Sequence, residues 1–88
     1  MAVMDITKHV EAVAEIINDE LTSRGMAVIA LAEKSGIPRT TLMRRLEYPN
    51  SYPFTVAELA QISDVFGSCL STIIQRAEAL ASKEGEAK

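Results

Sequence analysis

The sequence predicts an all-α domain of five helices, and three observations carry that prediction. Apolar residues recur at spacings of three and four in five separate segments. Breaks bearing glycine or proline, at Gly25, Ser35-Gly36, residues 48–53 and Gly67, divide those segments. Nowhere does an alternating apolar–polar run reach the length of a strand. At 88 residues the chain makes one domain, with a marginal core and little room for a buried catalytic pocket.

The first helix is expected to begin after Asp5, whose carboxylate can accept a hydrogen bond from an end amide. Ile6, Val10, Val13, Ile17 and Leu21 form its apolar stripe, and Lys8, His9, Glu11, Glu15, Asn18 and Thr22 fall on its polar side. Gly25 stops it. A short second helix covers about Ala27 to Lys34, with Val28, Leu31 and Ala32 inward, and Ser35-Gly36 breaks it. The third runs about Pro38 to Glu47, because proline suits a first turn that needs no amide donor; Leu42 and Leu46 face inward. Tyr48 to Pro53 is a loop. Thr55 and Glu58 make a capping box for the fourth helix, with Phe54 packing back as a staple. Its stripe is Val56, Leu59, Ile62 and Phe66, and Gly67 ends it. Ser68 is the expected cap of a fifth helix through Leu70, Ile73, Ile74, Ala77 and Leu80 or Ala81. Residues 1–81 therefore read as the folded domain and 82–88, small and charged, as a flexible C-terminal tail. Leu70, Ile73, Ile74 and Leu80 exceed what one buried stripe requires; the surplus either pairs with a second copy or is buried deeper in the chain's own core.

Composition narrows the function. No apolar run reaches the roughly 18 residues of a membrane span. Met1 to Asp5 lacks the basic start and apolar core of a signal peptide. Cys69 is alone, so it has no internal disulfide partner and is expected to be a small buried apolar side chain. A cytoplasmic location is the expectation. No Cys, His or carboxylate cluster has metal-ligand spacing, no nucleophile lies near the single His9, and no glycine-rich phosphate loop is present. No catalytic residue, metal, cofactor or small-molecule ligand is therefore expected, and Glu11 and Glu15, one turn apart, read as solubilising charge.

The net charge of −3 is unevenly placed. Residues 1–23 set Lys8 against Asp5, Glu11, Glu15, Asp19 and Glu20, a net of −4. Residues 24–48 set Arg24, Lys34, Arg39, Arg44 and Arg45 against Glu33 and Glu47, a net of +3. Binding a phosphate chain needs a local basic surface, and total charge does not decide it. Within that middle third, Ala32 and Gly36 frame a turn in which a small residue permits close helix approach and glycine makes the bend. Ile37 and Leu42 fill the space between the helices. Such a turn sets the third helix steeply against the second, so that its outer face protrudes and fits the DNA major groove. Arg39, Thr40, Met43 and Arg44 share that face. Arginine can bond a guanine edge through two donors, threonine can bond a base or phosphate, and Met43 offers apolar contact unless it belongs to the core. Arg45 lies about 100° round the helix from Arg44 and suits a phosphate or an acidic neighbour. Tyr48, Asn50, Ser51 and Tyr52 either touch the DNA backbone or form a plain turn with Tyr52 packed on the domain.

The segment from Gly25 to Leu42, with Ala32, Gly36 and Ile37 at its turn, resembles the helix-turn-helix of the Cro/phage-repressor (XRE-type) family. The block from Pro53 to Gly67 is similar to the fourth helix of the same fold. The resemblance covers about Leu21 to Leu80, and Arg44-Arg45-Leu46 with Pro53-Phe54-Thr55 is most similar to actinobacterial and actinophage members. It implies a compact five-helix lambda-repressor-like domain with a central helix-turn-helix, usually binding operator DNA as a homodimer and regulating transcription. It also implies that the capped helix end at Thr55 can face a phosphate. Many members carry a threonine cap and a phosphate-contacting glutamine where this chain has Ala27 and Val28. The free backbone amides there can still point at a phosphate. The resulting expectation has Arg39, Thr40, Met43 and Arg44 reading bases, and Ala27, Val28, Arg45, Tyr48, Asn50, Ser51 and Thr55 contacting phosphates. A self-cleaving repressor is not expected, since no protease segment follows in the sequence. The alternative is a protein-interaction module or antitoxin-like partner with the same fold, suggested by the acidic balance, Val28 and an outward Ile29.

Overall fold

A computed structural model of the chain describes residues 6–86, with side chains over 7–83. Five helices follow one another: α1 Ile6–Arg24, α2 Val28–Ser35, α3 Arg39–Glu47, α4 Val56–Phe66 and α5 Leu70–Glu86. The described residues contain no strand, and no helix is long and apolar enough to cross a membrane. The expected Asp5 cap and the Ile6 side chain lie outside the described residues.

The core draws one fully buried large side chain from each of the first four helices: Ile17, Leu31, Leu42 and Ile62. Ile73, Ala77 and Ala81 of α5 close it, one helical turn apart. On α1 the buried face is broader than the expected stripe. Ala12, Ala14 and Ile16 are buried with Ile17 and Leu21, while Val10 and Val13 are only half-buried. The reason is that α1 packs against both α5 and α3, so it needs two apolar flanks. His9 departs from expectation as well. It is half-buried and, with Val13, Phe54 and Leu59, lines a cavity of about 130 Å³ in which its Nδ1 has no hydrogen-bond partner.

Helix ends explain the connections. Gly36 ends α2 at φ 83°, and its N–H donates to the Ala32 carbonyl at 3.0 Å. A Cβ there would meet nothing within 4 Å, so it is the left-handed backbone and not crowding that calls for glycine. Gly67 ends α4 the same way at φ 70°, with the next N–H, of Ser68, returning to Ser63 O at 2.9 Å. Ser68 thus closes α4 and does not open α5, which starts two residues later. Cys69 sits in that junction and is exposed, contrary to the expected burial. Val56 is another correction: it is 70% exposed, and the buried places of α4 are Leu59, Ile62, Ser63 and Phe66. Val56 occupies the first position after the cap, where the helix end stands clear of the core. The buried Ser63 hydroxyl donates to the Ala60 carbonyl at 2.9 Å, which satisfies it without a tertiary partner. On α5, Leu70, Ile74 and Leu80 pack half-buried against the core, and the helix continues to Glu86, past the tail boundary expected at residue 81.

An ionic clamp joins three helix segments away from the turn. Glu20 accepts from Arg24 Nε at 2.7 Å and from Arg76 Nη1 at 2.9 Å. Arg24 also donates to the Phe66 carbonyl at 2.8 Å and stacks over the Phe66 ring at 4.7 Å. A cation thereby meets an otherwise unpaired carbonyl at the negative end of α4. The hydrogen bonds from Arg76 and Arg24 hold the Glu20 carboxyl below the usual glutamate range against the opposing effect of its partial burial.

Candidate nucleic-acid interface

The turn between α2 and α3 is built from local bonds. Ser35 Oγ accepts from the Ile37 N–H at 3.2 Å, and the Ile37 side chain is buried in the core. Pro38 follows with φ −55° and ψ 138°. Its φ suits a helix but its ψ is extended, so Pro38 is the cap and α3 begins at Arg39, one residue later than expected. The Pro38 carbonyl accepts the Leu42 N–H at 2.9 Å.

Two sides of α3 then separate. Leu42 is completely buried, and Thr41, Arg45 and Leu46 are half-buried around it. Arg39, Thr40, Met43, Arg44 and Glu47 are exposed. Met43, which helical spacing alone leaves open to a core role, is 47% exposed and lies on the outer side. Arg39 has no hydrogen-bond or ion-pair partner among the described residues. The Arg44 guanidinium lies 5.7 Å from the centre of the Tyr52 ring, at the outer range of a cation–π contact. All four residues expected to read bases are therefore on one accessible face.

The residues expected at phosphates scatter more. Arg45 is turned away: its Nε and Nη2 donate to Glu58 Oε1 and Oε2 at 2.8 and 3.0 Å. Of the two roles open to it, it takes the acidic neighbour, because its position round the helix points at the start of α4 and not outward. Glu58 is meanwhile the capping-box residue, accepting the Thr55 N–H at 3.0 Å while Thr55 Oγ1 accepts the Glu58 N–H at 3.1 Å. Partial burial pushes the Glu58 carboxyl up, but the bonds from Arg45 and Thr55 outweigh it and leave the group below its usual range. Asn50 donates to Glu11 Oε2 at 2.8 Å, which ties the loop after α3 back to α1. Tyr48 and Ser51 are exposed, and the Tyr48 carbonyl accepts from Ser51 and Tyr52 N–H groups at 3.1 and 2.9 Å to form the turn. Ala27 caps α2 in extended geometry, φ −77° and ψ 154°, without a side-chain bond. Its carbonyl accepts from Ala30 and Leu31, so the N–H groups of Val28 and Ile29 are left without an acceptor among the described residues.

Internal pairing also redistributes the charge. Arg24 and Arg45, two of the five cations of the basic middle third, are neutralised by Glu20 and Glu58. Lys34, Arg39 and Arg44 form no ion pair among the described residues, with Glu33 and Glu47 nearby in sequence. The double role of Glu58 and the Glu11–Asn50 tether were missed by sequence reasoning. The first had a signal, since Arg45 stands off the outer face; the second, 39 residues apart, had none. Comparison with protein-family models, with curated proteins and with solved structures gives no match.

Proposed function

We propose that this chain is a sequence-specific DNA-binding transcriptional regulator of the Cro/phage-repressor (XRE-type) kind, with α3 as the helix that enters the major groove. One observation carries the reading: Arg39, Thr40, Met43 and Arg44 stand exposed on one face of a helix whose opposite side is anchored by Leu42 and by the Arg45–Glu58 pair. An anchored helix with two guanidinium groups that no carboxylate engages among the described residues, a hydroxyl and an apolar side chain supplies the contact types that distinguish base pairs. Phosphate positioning falls to the amides of Val28 and Ile29 at the α2 N-terminus and to the exposed Tyr48 and Ser51 of the following loop, Asn50 being held by Glu11. Arg45 is left out of the DNA contacts. Binding as a homodimer to a pseudo-palindromic operator belongs to the same proposal.

Binding-site selection from random double-stranded DNA tests it. A symmetric site should emerge, and binding to it should weaken steeply with salt as counterions reassociate. Arg39→Ala and Arg44→Ala should abolish the sequence preference while leaving helicity intact. Recovery of no site, or normal footprints from both variants, refutes the assignment of α3 as the reading helix.

A further inference from the structure

The two arginines on the outer side of α3 are held differently. Arg39, the first residue of the helix, has no side-chain partner among the described residues. The Arg44 guanidinium lies over the Tyr52 ring, 5.7 Å from its centre. Glu47, three residues further along the helix, is exposed and forms no ion pair among the described residues. The ring is thus the group that restrains Arg44, and the restraint is electrostatic attraction of a cation to a π face.

The ring is itself held in place by the loop that carries it. The Tyr48 N–H donates to the Arg44 carbonyl at 2.8 Å, so the loop leaves α3 as a continuation of its last turn. The Tyr52 N–H returns to the Tyr48 carbonyl at 2.9 Å, and the Asn50 side chain ties the turn to Glu11 of α1 at 2.8 Å. Pro49 and Pro53 fix φ within and just after the turn. Phe54 then packs, partly buried, against the core. Backbone bonds and not deep burial set where the ring stands, since Tyr52 is 42% exposed.

An aromatic ring restrains a guanidinium without the strong N–H bonds that a carboxylate takes from it. Arg45 is the opposite case, with two of its nitrogens engaged by Glu58. Arg44 keeps its donors for a guanine edge and loses part of its rotamer freedom before binding, which lowers the entropy cost of a specific contact. We propose that Tyr52 is a positioning residue for Arg44, and that it makes Arg44 the more discriminating of the two outer arginines. This rests on the DNA-reading role of α3 proposed above and extends it to a residue outside the reading helix.

The test measures binding of the full chain to the selected DNA site and to single-base-pair variants of it. The base pairs at which Arg44→Ala and Arg39→Ala each lose preference assign one position to each arginine. Tyr52→Leu should lower discrimination at the Arg44 position about threefold and leave the Arg39 position unchanged. Tyr52→Phe, which keeps the ring and removes the hydroxyl, should retain both. Without DNA, the Arg44 side-chain protons of the isotope-labelled chain should show upfield ring-current shifts that Tyr52→Leu removes and Tyr52→Phe keeps. Full discrimination in Tyr52→Leu, or equal losses at both positions, overturns the proposal. So does a loss in Tyr52→Phe as large as in Tyr52→Leu, which would make the hydroxyl the working group, or a parent chain without the ring-current shifts. Recovery of no DNA site refutes the reading helix and the role that rests on it, whereas a selected site to which Tyr52→Leu is indifferent refutes the positioning alone.

Discussion

The two sides of α3 carry nearly the same chemistry and have different structural fates. Arg44 and Arg45 are neighbours in sequence, about 100° apart round the helix. Arg44 stands in the open beside Tyr52, and Arg45 is bound through two nitrogens to Glu58. On the outer side the helix offers donors that no acceptor engages among the described residues. On the inner side, Leu42, Leu46 and the Arg45–Glu58 pair fix its position against the rest of the domain. Charge count does not reveal a residue's role; angular position on the helix, with a partner at the right distance, does. A helix that reads another molecule needs both sides, since mobile donors lose discrimination.

Substitutions that treat the two sides differently sharpen this contrast. The largest effect is expected from the inner side: Leu42→Ala should cost about 2–5 kcal/mol of stability, because a completely buried leucine leaves a cavity. Urea denaturation measures it, and a loss of less than about 1 kcal/mol would mean the inner side is not the anchor. Next, Arg44→Ala on the outer side should leave the urea midpoint unchanged and weaken binding to a selected DNA site by about 1–3 kcal/mol. If the midpoint falls instead, the contrast between the two arginines collapses. Glu58→Ala should cost about 1–2 kcal/mol, since it removes half of the capping box and the partner of Arg45 together. The same bonds set a pH dependence. The Glu58 carboxyl is depressed in the folded state, so its stabilisation is present above the ordinary glutamate range and is lost as pH falls through the folded value. Thermal midpoints of the parent chain should fall over that acidic interval, and those of Glu58→Gln should fall less.

The smallest expected effect is a gain, and it comes from comparing two helix starts. Thr55 and Glu58 cap α4 reciprocally, whereas Ala27 caps α2 with no side-chain bond. Ala27 already has the extended geometry of a cap, so Ala27→Ser should stabilise the chain by about 1 kcal/mol. Calorimetry would detect it, and a neutral or destabilising result would show that the start of α2 is held by tertiary packing alone.

The sequence by itself determined the five helices, their order and the stops of the first four. Those features depend on short-range physics: glycine takes the left-handed backbone at Gly36 and Gly67, Thr55 and Glu58 reach each other within one turn, and apolar spacing matches the helical repeat. It determined the outer face of α3 for the same reason, since angular position on one helix follows from numbering. Only the tertiary structure decided which polar side chains are engaged. Arg24, Arg45 and Asn50 are engaged by groups brought near by helix packing, at separations of 42, 13 and 39 residues for their longest bonds. It likewise decided that Val56 and Cys69 are exposed and that α1 buries two flanks, because those outcomes depend on where helix ends stand relative to neighbouring helices. Hydrogen bonds and charge pairs act over a few ångströms, and the distance between remote residues exists only once the chain has packed.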